Sequence, residues 1–212
     1  GRWASIEALK QGVDISMITS ACTARIMSNH LDEREKAWQL IHSPAVGLSP
    51  DKESFAAMVR EALYTGKIIA YAQGFSLMQD ASRLYGWNLD LGKIASIFRA
   101  GCIIQAVFLN DITHAFEAEP KPENLIFDGF FLSRINEHQD SLRQAVSTGV
   151  MNGLPIPALC NAVSYLDEFR AKAAGANLIQ AQRDCFGAHT YERTDREGIF
   201  HHEWRWANDN QH

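Results

Sequence analysis

From Trp3 to Phe186 apolar residues return every three or four positions, and the two-residue alternation of a half-exposed strand is nearly absent until about the last twenty positions. A chain patterned in this way can hide its apolar stripes only by packing helix against helix, so the sequence predicts an all-α fold of many helices. With 212 residues, 46% of them hydrophobic, there is enough apolar surface for one large domain, or for a domain with an appendage.

Start and stop residues divide the pattern. Asp14 is placed to cap a helix carrying Ile15, Ile18, Cys22 and Ile26 on one stripe, and the charged segment Asp32 to Ile41 continues in helical register. Ser49 followed by Pro50 signals the start of a long helical region, Phe55 to about Tyr85, that stops near Gly86. Asn88 or Asp90 caps the next helix, which the spacing of Ile94, Ile97, Phe98, Phe108, Leu109, Ile112 and Phe116 carries straight through Gly101. Glycine inside a helix costs about 1 kcal/mol relative to alanine, so close packing of another helix is expected at Gly101.

Glu119-Pro120-Lys121-Pro122 reads as a linker, and a further helix runs from about Glu123 to Asn152, where Gly153 and Pro155 end it. Pro157 opens a helix carrying Leu159, Val163, Leu166 and Phe169, and Ala176 to Phe186 forms a shorter one that ends at Gly187. From His189 to Trp204 the sequence turns polar and aromatic around the turn signal Thr194 to Gly198, which predicts a loop or small hairpin. So few apolar residues cannot form a core, and the segment must dock on its own helices or on a partner subunit. The expected organisation is a helical domain over 1–175 followed by a short helix and docking tail over 176–212.

Charge and composition remove several functional classes. Twenty basic and 25 acidic residues give a formal net charge of -5 with both signs scattered, which argues against a nucleic-acid surface. No apolar run approaches the roughly 20 residues of a bilayer span, and no secretory leader is read at the start. Cys22, Cys102, Cys160 and Cys185 stand far apart without Cys-x-x-Cys or zinc spacing, so reduced thiols and a cytoplasmic location are expected. Gly1-Arg2-Trp3 opens in what reads as the inside of a helix, more like a cut than a natural start, with apolar surface left on Trp3, Ile6 and Leu9. No Gly-x-Gly-x-x-Gly or phosphate-loop string occurs, so a redox cofactor would have to be held elsewhere.

Three groupings carry chemistry. His201-His202-Glu203 offers metal-ligand types, but neighbours in an extended tail point to opposite faces and no third ligand follows at a suitable spacing, so polar tail contacts are the preferred reading. In Gln182 to His189 an arginine in the last turn of a helix, a glycine stop and a histidine stand together. A guanidinium fork beside an imidazole suits a phosphate monoester, although arginine there is more often a partner of the helix dipole. Arg25, between Cys22 and Ile26, poses the same choice between an anion ligand and a side chain snorkelling at a helix edge.

The run IQAQRDCFGAHTYERTDREGIFHHEW, Ile179 to Trp204, strongly resembles the C-terminal signature of the decarboxylating 6-phosphogluconate dehydrogenases. The likeness extends through GRWASIEAL (Gly1 to Leu9), ARIMS (Ala24 to Ser28), FRAGCII (Phe98 to Ile104), TGVMNGLPIP (Thr148 to Pro157) and YLDEFR (Tyr165 to Arg170). The resemblance implies the C-terminal, all-helical part of an enzyme that oxidises and decarboxylates 6-phosphogluconate to ribulose 5-phosphate with NADP, as a homodimer with tails exchanged between subunits.

It further implies that Arg25 binds the substrate phosphate in a subunit's own site, while Arg183 and His189 are lent to the neighbour's. The catalytic lysine and glutamate and the NADP-binding domain would lie upstream, no metal is needed, and this chain alone would not turn over. Arg2, Gln105 and Cys185 depart from the family's usual lysine, arginine and aromatic residue. The alternative reading is a stand-alone helical module for dimerisation or binding, without catalysis.

Overall fold

The computed structural model describes residues 1–43, 47, 51–173 and 175–204. Among them the chain forms nine α-helices and one small hairpin, and it divides into two compact units, Gly1–Tyr165 and Leu166–His212. The expected start signal at Ser49-Pro50 lies outside the described residues.

In the first unit α1 (Arg2–Gln11) buries Ala8 and leaves Trp3, Ile6 and Leu9 exposed. Asp14 accepts a hydrogen bond from the Ser16 N–H at 2.7 Å and turns the chain into α2 (Ser16–Met27). The stripe expected along α2 is corrected here: Ile15 is buried, Ile26 is 51% exposed, and the residues α2 itself buries are Met17 and Ser20. The cause is a buried glutamine on the fourth helix. Gln73 accepts from the Met17 N–H at 3.0 Å and donates to the Ser16 hydroxyl at 3.1 Å, so α2 is anchored by its first turn while its last turn, with Arg25, lies at the surface. A break at Ser28 to His30 separates α3 (Leu31–Leu40), which buries no residue.

The axis of this unit is α4 (Lys52–Tyr85), 34 residues and so about 51 Å long. Asp51 caps it by accepting from the Ser54 N–H at 2.9 Å, and Gly86 stops it where expected. α5 (Leu91–Ile97) starts at Asp90, whose carboxylate accepts from the Lys93 N–H, and α6 (Leu109–Glu117) buries Leu109, Ile112, Ala115 and Phe116.

The sequence expectation of one helix through Gly101 is overturned. Gly101 has a left-handed φ of 66° with open space around it, so its contribution is backbone freedom in a turn, not close helix packing. The carbonyls freed by the break are taken up from α4: Lys67 donates to the Gln105 carbonyl at 3.2 Å and the Tyr71 hydroxyl donates to that of Ile104. Ile97, expected in the core, is exposed as a result.

α7 (Gly129–Met151) starts later than expected because Asn124 first caps a single 3-10 turn, Leu125–Phe127, before Asp128 caps the helix proper. α4 and α7 form the main helix pair, closed over Ile68, Phe75, Phe131 and Leu142, with Phe108 meeting Tyr64, Tyr71 and Phe131 edge-on at 5.5 to 5.8 Å. α8 (Pro157–Arg170) opens at Pro157 as predicted.

In the second unit α9 (Ala176–Gly187) starts where predicted but does not stop at Gly187, which is helical; the left-handed cap falls on Ala188, φ 49°. The following segment is a hairpin, as the turn signal suggested: β1 (Tyr191–Glu192) pairs antiparallel with β2 (Ile199–Phe200), Tyr191 opposite Phe200. Its loop is closed by Arg193, which forks onto Asp195 at 2.7 and 2.6 Å, and by Arg196, whose guanidinium lies 4.5 Å from the centroid of the Phe200 ring.

Candidate functional site

Arg25 stands in the last turn of α2, exposed, its Nη1 donating to the Ser28 hydroxyl at 2.8 Å and to the Asn29 side-chain oxygen at 2.6 Å. Arg183 is exposed on α9 and donates to the Gln180 side-chain oxygen at 3.0 Å, one turn back. Both guanidinium groups are thus oriented by neutral oxygens. Among the described residues neither meets a carboxylate, whereas Arg83, Arg170 and Arg193 are neutralised by Asp80, Asp167 and Asp195. A cation oriented but not neutralised keeps its donors and its full charge for an anion.

His189 lies just past the end of α9, exposed, its ring edge-on to Phe186 at 5.6 Å. The imidazole folds back over Gly187 so tightly that a Cβ there would sit 2.7 Å from Nε2 and 2.8 Å from Cδ2. On either side of His189 the backbone is left-handed at non-glycine residues, Ala188 at φ 49° and Thr190 at φ 61°. Such positions are uncommon and persist only where the surroundings hold them.

What holds them is an aspartate that the sequence pattern did not single out. Asp184 is buried, 1% exposed, and its carboxylate takes four donors. Oδ1 accepts from the Thr190 N–H at 3.1 Å and from His201 Nδ1 at 2.8 Å; Oδ2 accepts from the His202 N–H at 2.9 Å and the Trp204 indole at 3.0 Å. Its backbone carbonyl accepts from the Ala188 N–H at 2.9 Å as well. Burial pushes the Asp184 carboxyl up, but the hydrogen bonds from His201, His202 and Trp204 outweigh it and hold the group well below the usual carboxylate range.

One sequence signal could have exposed Asp184. An acidic residue in the last turn of a helix opposes the helix dipole, so it calls for donors from outside the helix.

His201, one of the metal-type residues in the tail, is engaged with Asp184 in this way, and among the described residues no group of three His, Cys, Asp or Glu side chains is arranged to hold a metal ion. A cavity of about 430 Å³ opens between α9 and the hairpin, lined by Asn177, Gln180, Tyr191, Arg193, His202 and Trp204 among others; neither Arg183 nor His189 lines it. No helix among the described residues is long and apolar enough to cross a membrane.

The chain matches a family model described as 6-phosphogluconate dehydrogenase, C-terminal domain, over residues 1–204. It is 48% identical over 204 residues to a decarboxylating 6-phosphogluconate dehydrogenase of Lactococcus lactis and 47% identical to one of Staphylococcus aureus, in each case over 96% of this chain. The fold superposes with a TM-score of 0.90, at 38% identity and over 96% of this chain, on the Plasmodium falciparum 6-phosphogluconate dehydrogenase, a protein solved in its apo form, with its cofactor NADP+ and with its substrate 6-phosphogluconate. The chain spans 43 to 44% of the length of these relatives. A match that runs through every helix, the hairpin and the Arg183 to His189 turn makes this chain a member of the 6-phosphogluconate dehydrogenase C-terminal domain family.

Proposed function

We propose that this chain is the C-terminal part of an enzyme that oxidatively decarboxylates 6-phosphogluconate to ribulose 5-phosphate, and that its role there is to bind the substrate and join two subunits. The observation that carries the reading is the pair of oriented, uncompensated guanidinium groups, Arg25 and Arg183, at the positions where the family resemblance implies phosphate ligands.

In this reading Arg25 serves its own subunit's site, and the tail carries Arg183 and His189 to the neighbour's. Two guanidinium forks suit the dianionic phosphate, and the His189 imidazole supplies a further hydrogen bond to substrate. NADP, held by residues outside this chain, supplies the hydride acceptor, and the acid and base also lie outside it. The residues of this chain bind and orient, so alone the chain does not turn over. A homodimer and a cytoplasmic setting complete the proposal.

Two experiments on the intact enzyme test it. Arg183→Ala raises KM for 6-phosphogluconate about 30-fold, the loss of one charged hydrogen-bond partner, with little change in kcat; an unaltered KM overturns the assignment. Hybrid dimers of Arg25→Ala and Arg183→Ala subunits regain activity, because one of the two sites in each hybrid again holds both arginines. If mixing restores nothing, the site is not shared between subunits.

A further inference from the structure

The Asp184 carboxylate is the densest polar junction among the described residues of the second unit, yet it points away from solvent and cannot touch a ligand. Its four donors exhaust the acceptor capacity of a carboxylate, two on each oxygen. An amide of the same shape could satisfy only one oxygen's donors and would turn its own N–H groups against the other pair. His201 must therefore present Nδ1–H, since a carboxylate can only accept.

Two of the bonds to Asp184 bracket His189. Ala188 N–H ends on its main-chain carbonyl and Thr190 N–H on its side chain, so both left-handed residues that aim the imidazole are fixed by this one aspartate. The remaining three contacts, from His201, His202 and Trp204, tie the segment after the hairpin to the same group. On the substrate reading given above, on which this inference rests, we propose that Asp184 is the positioning residue of the lent half-site: it acts through the 188–190 turn to hold His189 over Gly187, without contacting substrate.

The test is a double-mutant cycle on the intact enzyme. Asp184→Asn raises KM for 6-phosphogluconate about tenfold and moves kcat less than about twofold; in a His189→Ala background the same substitution moves KM less than about twofold, because the group it positions is already gone. An equal KM penalty in both backgrounds overturns the proposal, since Asp184 then acts on something other than His189. An unchanged KM in folded Asp184→Asn, with Arg183→Ala still impaired, overturns it while leaving the substrate reading intact. If Arg183→Ala also leaves KM unchanged, both fall together. Should Asp184→Asn fail to fold, Trp204→Phe removes one donor to Oδ2 and leaves the carboxylate freer to turn away from the Thr190 N–H that it holds through Oδ1. In the same cycle it raises KM about threefold with His189 present and leaves KM unmoved in His189→Ala; an equal rise in both backgrounds, or none in either, overturns the proposal.

Discussion

His189 rests on Gly187: its imidazole occupies the space where any larger residue would put its Cβ, 2.7 Å from Nε2. The backbone of Gly187 is not left-handed, so alanine suits its conformation and only the ring must yield.

Gly187→Ala therefore separates binding from stability. The melting temperature is held or slightly raised, because alanine is favoured over glycine in a helix by about 0.5 to 1 kcal/mol, while on the proposed role of His189 the KM of the intact enzyme for 6-phosphogluconate rises severalfold as the displaced imidazole loses its aim. Calorimetry and steady-state kinetics on one preparation check both halves. A lowered melting temperature with a normal KM would contradict the account.

The opposite behaviour is expected at Gly149, buried near the end of α7, where a Cβ would stand 2.4 Å from Cδ1 of Ile156. Gly149→Ala overpacks this contact and costs about 1 to 3 kcal/mol, read as a lower urea midpoint. Ile156→Val removes the offending Cδ1, so the double variant recovers part of the loss. Equal midpoints for the single and double variants would place the strain elsewhere.

Acid should loosen the tail. Because the Asp184 carboxyl is held below its ordinary range in the folded state, its stabilisation is fully present above the ordinary carboxylate pKa of about 3.9 and is lost as pH falls from there towards the depressed folded value. The Trp204 indole N–H resonance reports this directly, since its acceptor is Asp184 Oδ2. It shifts in that acid window in the parent chain, and in Asp184→Asn it shows no such transition.

The helices were legible because burial on a helix imposes its own period, and Gly86, Gly153 and Pro157 mark boundaries by backbone chemistry alone. Two features were not legible. At Gly101 the spacing of apolar residues continued through a break that α4 stabilises by donating from Lys67 and Tyr71, and a window along one segment contains no information about donors more than thirty residues away. The candidate site shows the same division: Arg25, Arg183 and His189 stood out by residue type and motif, whereas Asp184 has a role only through Thr190, His201, His202 and Trp204, which the hairpin brings back to it.

Strands of two residues each carry too few ladder bonds to keep a ribbon closed in water. The hairpin is instead latched at Asp184, where the chain before it and the chain after it end on a common acceptor. One opening at Asp184 is therefore expected to expose both flanks together: the amide protons of Thr190 and His202, on opposite sides of the ribbon, share one protection factor in hydrogen exchange, as members of a single cooperative foldon.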